Sequence, residues 1–311
     1  MGAGATGGYF GALLARGGEE VAFVARGEHL AAMRAGGLRV RTPEEEFSVS
    51  ARATNDPADI GMVDAVLFAV KSYDTVVAAE ACAPLVGAST AVICIQNGID
   101  NEDALAARFG AAAVLGGSTR IEASVLAPGV VQRHSGFQRL DFGPWDGEVT
   151  DRERGLLAVM ERCGVDAHLD TDVRRIKREK FLLLCPMAMV TSVTRAEVGA
   201  VRSIPETRDL FAAAVREVVE VAAAAGVDLG GDSAVERILA TLDAVPSSMK
   251  TSMLRDLERG RRIELDAFGG ALRRAGRAHG VPTPVHDLLY AALRPAALAA
   301  ERGADASLAA G

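Results

Sequence analysis

The sequence predicts a two-domain protein: a parallel, doubly wound α/β domain followed by an all-α domain. Three observations predict it. Short apolar segments alternate with helical stretches over the first half, and a glycine-rich turn opens the first helix. From about residue 170 the strand signal gives way to long stretches of 3.6-residue period. A chain of 311 residues suits two domains, and the boundary is placed between residues 1–168 and 169–311.

The elements follow in order. Gly2 to Arg16 reads as a glycine turn opening a helix. Val21–Ala25, Asp64–Val70 and Thr90–Ile95 are short apolar strands that end at turn or polar residues. Helices fall between them near 75–85 and 102–109. Strand-like pieces continue near 113–125, 130–134 and 140–142. The second domain reads as helices over 171–190, 207–225, 233–242, 249–279 and 285–293. Pro186 is expected to kink or end the first of these. The alanine-rich stretch after Pro295 is expected to fray.

Composition narrows the function classes. Lys and Arg number 34 against 41 Asp and Glu, a net charge of −7, so no global field favours nucleic acid or an anionic membrane. The longest markedly apolar run, 181–190, is about half a bilayer span, and a cytoplasmic setting is expected. Cys82, Cys94, Cys163 and Cys185 are scattered, which fits buried reduced thiols better than a disulfide framework or a metal site. Only four lysines occur, Lys71, Lys177, Lys180 and Lys250. Arg serves elsewhere, so the remaining lysines mark places where a titratable amine is wanted.

Gly2-Ala3-Gly4-Ala5-Thr6-Gly7 is the GxGxxG turn of a Rossmann-type dinucleotide site. Gly2 makes the tight turn, Gly4 lets the backbone approach a pyrophosphate, and Gly7 lets the helix pack on the sheet. The helix N-terminus then meets the phosphate charge. The strand that normally precedes such a turn would lie before Met1, so the native start is expected upstream. At the end of the next strand stands Arg26, where a site for NAD carries an acid. That favours the 2′-phosphate of NADP or NADPH.

Ligands of open α/β sheets bind beyond the carboxyl ends of strands. Lys71 and Gln96-Asn97-Gly98 follow two of the strands directly. On the helix from residue 171, the spacing Val173, Ile176, Lys180, Leu184, Met187 puts Lys180 on the apolar stripe and Lys177 to its side. An inward lysine is costly unless it lines a cleft or meets a partner, and burial would make it a proton donor near neutral pH. Glu264 shares one helical face with Leu257, Phe268 and Leu272. The bland alternatives are a snorkelling lysine and a surface salt bridge.

The segments GAGATGGYFGALLA, FVARGEHL, VKSYDT, IQNG, REKF and SSMKTSMLRDLERGRRIELDAFGGALRRAGRAHGVPTP together resemble the ketopantoate reductase (2-dehydropantoate 2-reductase) family over nearly the whole chain. The resemblance implies an N-terminal Rossmann domain and an all-α domain like the C-terminal part of 6-phosphogluconate dehydrogenase, with the active site in the cleft between them. It implies NADPH-dependent reduction of 2-dehydropantoate to (R)-pantoate in pantothenate biosynthesis. Gly2, Gly4 and Gly7 would hold the pyrophosphate and Arg26 the 2′-phosphate. Lys71 and Asn97 would line the nicotinamide and substrate region, and Ala123 would touch the cofactor by its backbone. Lys180 would protonate the carbonyl oxygen, Ser252 would bind substrate, and Glu264 would contact cofactor or orient the new hydroxyl.

Two departures qualify this. Family members carry asparagines four and eight residues after the lysine, and here those positions are Leu184 and Ala188, so another 2-keto acid or ketone is an open alternative. Ser252 precedes Glu264 by about 18 Å on an unbroken helix, so both serve one small substrate only if the chain bends. A non-catalytic NADP(H)-binding regulator is the rival from another class. No metal is expected, and homodimerisation is left open.

Overall fold

The computed structural model describes residues 1–50 and 52–309. The chain divides into two compact units, Met1–Lys177 and Arg178–Gly311; the division falls nine residues later than the sequence boundary, inside a helix.

Unit 1 runs α1 (Ala5–Arg16), β1 (Ala22–Val24), α2 (Gly27–Gly36), β2 (Leu38–Arg41), β3 (Glu46–Val49), β4 (Arg52–Thr54), β5 (Ala65–Phe68), α3 (Thr75–Cys82), β6 (Ala91–Cys94), α4 (Asn101–Phe109), β7 (Val114–Arg120), β8 (Ala123–Ala127), β9 (Val130–Arg133), β10 (Arg139–Pro144), α5 (Asp151–Arg162) and β11 (Asp166–Leu169). It ends in the first residues of α6 (Val173–Thr194).

The main sheet has the order β11-β10-β7-β6-β5. β5, β6 and β7 are parallel, as the β-α alternation predicts, whereas β10 runs antiparallel to β7. Every residue of β6 is buried, because helices cover both faces of a parallel sheet. β1 pairs with β4 in a separate two-stranded sheet, and β3-β2-β9-β8 form a third. Met1–Ala3 ties β5 to β1. The Met1 amine donates to the Leu67 carbonyl at 2.8 Å, Ala69 N–H donates to the Met1 carbonyl, and Gly2 and Ala3 donate to the Val24 carbonyl.

One apolar cluster of unit 1 packs Tyr9, Phe10 and Leu13 of α1 with Phe23, Ile93, Leu115 and Phe142. A second, on the other face, packs Phe68, Val92, Leu105, Val114, Trp145 and Val173. Val173 fits because Gly116 leaves room: a Cβ there would lie 2.8 Å from Val173 Cγ1.

Unit 2 holds the rest of α6, then α7 (Val198–Ser203), α8 (Pro205–Ala224), α9 (Gly231–Ala244), α10 (Ser252–Glu258), α11 (Ala271–His279) and α12 (Pro284–Ala309). The buried stripe of α8 is Phe211, Ala214, Val215, Val218, Val221 and Ala222, the 3-4 spacing of an amphipathic helix. α6 continues through Pro186 to Thr194, and α12 continues through Pro295 to Ala309, so neither proline ends its helix. The neighbouring turns are packed, which offsets the single backbone bond each proline removes.

The helix expected over 249–279 is interrupted. Gly260 has φ +64°, its N–H donates to the Leu257 carbonyl, and Arg261 N–H donates to the Asp256 carbonyl. That is a Schellman cap, which ends α10. The chain resumes in a single π turn, Asp266–Gly270, that leads into α11. No helix of the described residues is long and apolar enough to cross a membrane, and no cluster among them could hold a metal ion.

Candidate active site

The glycine turn has the three properties that a dinucleotide site needs. Gly2 adopts φ +86°, and a Cβ there would lie 2.8 Å from the Val70 amide nitrogen. Gly7 lets α1 close onto the turn: its Cβ would lie 2.4 Å from the Gly2 carbonyl oxygen. A Cβ on Gly4 would meet nothing within 4 Å, so this residue faces open space. Gly4 is also the N-cap of α1, and no side chain caps that terminus. Its amides and the positive end of the helix dipole therefore face the opening, and an anionic pyrophosphate fits there.

His29 braces the turn. Gly129 N–H donates to His29 Nδ1 at 3.0 Å, which leaves Nε2 to donate to the Ala3 carbonyl at 2.8 Å. Burial lowers the His29 pKa, with the Ala3 carbonyl opposing. Nothing in the local sequence marks His29 for this role, because its partners lie 26 and 100 residues away.

Arg26 follows β1 and caps α2. Its guanidinium donates to Asp74 Oδ2 at 2.7 Å yet stays 73% exposed. It is tethered but remains presented to solvent, and Ala25 and Gly27 beside it add no acid.

Lys71 and Asn97 stand just past β5 and β6, both half-buried. A polar network joins their immediate predecessors. Gln96 Nε2 donates to the Val70 carbonyl at 2.9 Å and to Thr75 Oγ1 at 2.9 Å. Thr75 Oγ1 donates to Asn101 Oδ1 at 3.0 Å, and Asn101 Nδ2 donates back to the Asn97 carbonyl at 2.7 Å. The sequence brought Lys71 and Asn97 to one crevice; it did not show Thr75, Gln96 and Asn101 holding them. A polar Gln directly after a wholly apolar strand was the one visible signal.

The phase of α6 differs from the expected one. Lys177, not Lys180, is the buried lysine, 4% exposed against a half-buried Lys180. The Lys177 ammonium pairs with the wholly buried Glu102 carboxylate. It also donates to the Gln96 carbonyl at 3.1 Å and the Gly117 carbonyl at 3.3 Å. Burial works against the Lys177 charge, but the interactions with Glu102, Cys94 and Asp100 together outweigh it, and the pKa stands above the ordinary lysine value. Burial pushes the Glu102 carboxyl up against the pull of Lys177.

The remaining candidates are placed as follows. Ala123 is the first residue of β8 and is half-buried. Glu264 is 6% exposed and lies between the Gly260 cap and the π turn. Ser252 is exposed at the start of α10, next to the N-cap Thr251. The Gly260 break removes the unbroken helix that separated Ser252 from Glu264. Leu184 is half-buried and Ala188 buried.

Unit 2 also contains Cys185, His286 and Glu217 in the order of a nucleophile, base and carboxylate. His286 Nε2 lies 3.5 Å from Cys185 Sγ, and His286 Nδ1 lies 2.6 Å from Glu217 Oε2. Cys185 and His286 are wholly buried, and burial pushes the thiol well up, so there is no available nucleophile. Glu217 also accepts from the amides of Val285 and His286. Glu217 thereby caps the start of α12.

Comparison with known proteins points to one family. The family model described as Ketopantoate reductase PanE/ApbA matches residues 1–147, and its C-terminal companion, Ketopantoate reductase PanE/ApbA C terminal, matches residues 172–297. A 2-dehydropantoate 2-reductase of Mesorhizobium japonicum is 34% identical, over 97% of this chain and 98% of that one. The crystal structure of a PanE/ApbA family ketopantoate reductase from Ralstonia eutropha superposes with a TM-score of 0.89 at 31% identity, covering 97% of this chain and 98% of that one. A D-mandelate dehydrogenase solved with NADH and anilino(oxo)acetate shares the fold, with a TM-score of 0.88 at 21% identity over 96% and 97% of the two chains. With its glycine turn, strand-end polar residues and helical second unit in place, this chain belongs to the ketopantoate reductase family and is an oxidoreductase that works with a nicotinamide cofactor.

Proposed function

We propose that the protein reduces a small 2-keto acid with NADPH, and that 2-dehydropantoate is its substrate. The observation that carries the reading is the turn itself: an uncapped α1 N-terminus, open space over Gly4, and Arg26 at the end of β1. Gly2, Gly4 and Gly7 would hold the pyrophosphate, and Arg26 would pair with a 2′-phosphate. Ala123 would add a backbone contact.

The bound nicotinamide supplies a hydride. The protein's own groups do the rest. Lys180 donates a hydrogen bond, then a proton, to the carbonyl oxygen as negative charge builds there. Its half-buried position suits a group that must regain its proton from water between turnovers. Lys71 and Asn97 orient the reacting carbon. Glu264 accepts a hydrogen bond from the new hydroxyl, and Ser252 binds the far end of the substrate.

A second substrate reading rests on Leu184 and Ala188. These positions, four and eight residues after Lys180, offer no hydrogen bond to a substrate hydroxyl, which favours a 2-keto acid with an apolar side chain. Loss of NADPH absorbance with 2-dehydropantoate tests the first reading. Saturable turnover establishes it. Turnover only with apolar 2-keto acids establishes the second. Tight NADPH binding without oxidation by any keto acid would leave a regulator, and both reductase readings would fall.

A further inference from the structure

The ion pair of Lys177 and Glu102 is buried in unit 1 and takes no part in the chemistry above. It sits where β6 and β7 part. Their ladder runs Val92↔Val114, Ile93↔Leu115 and Cys94↔Gly116, and then stops. The next carbonyls that would need donors are those of Gln96 and Gly117, and the Lys177 ammonium collects both. The same ammonium forms an ion pair with the Glu102 carboxylate, near the start of α4. Glu102 adjoins Asn101, whose side chain holds the Asn97 carbonyl. Gln96, held by its carbonyl, reaches with its side chain to Val70, the residue before Lys71.

We infer that Lys177 and Glu102 are positioning residues: by collecting the splayed carbonyls and fixing the start of α4, they set the backbone that carries Asn97 and Lys71. Two isolated charges buried for packing alone would be a poor choice, since an apolar pair of similar volume is often as stable or more so. An apolar pair cannot serve the two orphaned carbonyls. The loop after β6 would then shift to find other donors, and Asn97 would move with it.

The test separates stability from position, and it rests on the proposed reductase activity only in its kinetic part. The double variant Lys177→Leu with Glu102→Leu removes both charges together. Thermal unfolding, amide exchange over residues 94–102, NADPH binding and keto-acid kinetics are compared with the parent protein. The expected result is an unfolding midpoint near the parent's, with faster exchange confined to 94–102. KM for the keto acid should rise and kcat/KM should fall by about tenfold or more, since a displacement near 1 Å can cost about a hundredfold. NADPH binding should change by less than about threefold, because the glycine turn and Arg26 lie outside the network. Parental exchange over 94–102, or parental kcat/KM despite faster exchange, overturns the inference. If the double variant does not fold, Lys177→Met, which removes the donor to both carbonyls and leaves Glu102 a carboxyl that can take up a proton, is read in the same way. If the parent protein turns over no keto acid, the functional reading fails, and the exchange data decide the positioning role alone.

Discussion

Substituting alanine at Gly4 and at Gly7 separates a binding role from a packing role within one turn. At Gly4 the φ is −75°, which alanine adopts freely, and the added methyl meets no protein atom within 4 Å. The folding cost is that of a poorer N-cap, about 0.5–1 kcal/mol. That methyl occupies the space through which a pyrophosphate would approach the α1 amides. Losing one or two charge-assisted hydrogen bonds costs about 2–4 kcal/mol, or roughly 30- to 900-fold in Kd.

At Gly7 the methyl would stand 2.4 Å from the Gly2 carbonyl oxygen and 2.8 Å from Ala69 Cβ. Both neighbours are held, Gly2 by Val24 and Ala69 by the Met1 carbonyl, so the helix start must move. Overpacking of this kind costs about 1–3 kcal/mol. Thermal unfolding paired with calorimetric titration of NADP+ reads both quantities. Gly4→Ala should lower its unfolding midpoint by no more than a few degrees and lose binding, and Gly7→Ala should lose both stability and binding. Parental affinity in Gly4→Ala would refute the placement of the pyrophosphate over this turn.

Two further outcomes are expected. Lys180→Met should lower kcat by about 10²–10⁴-fold with little change in NADPH Kd, and near-normal turnover by Lys180→Arg would remove its role as proton donor. Arg26→Ala should weaken NADPH by roughly tenfold, a modest value for so exposed a guanidinium, and leave NADH unchanged; equal losses for both cofactors would dissociate Arg26 from the 2′-phosphate.

The legible parts of this molecule were those whose cause is local. The glycine turn, the apolar strands and the polar residues at their ends are each written within a few adjacent positions, and the β-α alternation follows from them. Contacts that close over long sequence distances were not legible. His29 is tied to Gly129, Gln96 to Val70, and Glu102 to Lys177, and no periodicity announces any of these. The break at Gly260 was a different failure. The glycine was visible, but the 3.6-residue period alone carries a single helix over 249–279 straight through it. Its flanking arginines and positive φ make it a C-terminal cap, and the following π turn restores the 3.6-residue phase only after Gly270.

α6 shows why a helical stripe can mislead when one helix serves two cores. A single stripe fitted over 173–187 selects Ile176 because it is apolar, and then Lys180. The structure instead buries Val173 and Lys177 in unit 1, while Phe181, Leu182 and Cys185 are buried in unit 2, where Phe181 stacks on Phe268 with ring centroids 6.2 Å apart. Ile176 and Lys180 fall at the edge of both sets, each half-buried. The exchange of roles bears on the chemistry. An ammonium with a carboxylate and two carbonyls around it, like that of Lys177, holds its proton too tightly to give it up in a catalytic cycle. A lysine within reach of water can lose and regain one. On the proposed reading, Lys180 suits the proton-donor role because it is the less buried of the two, which is the reverse of the reason its position on the stripe suggested.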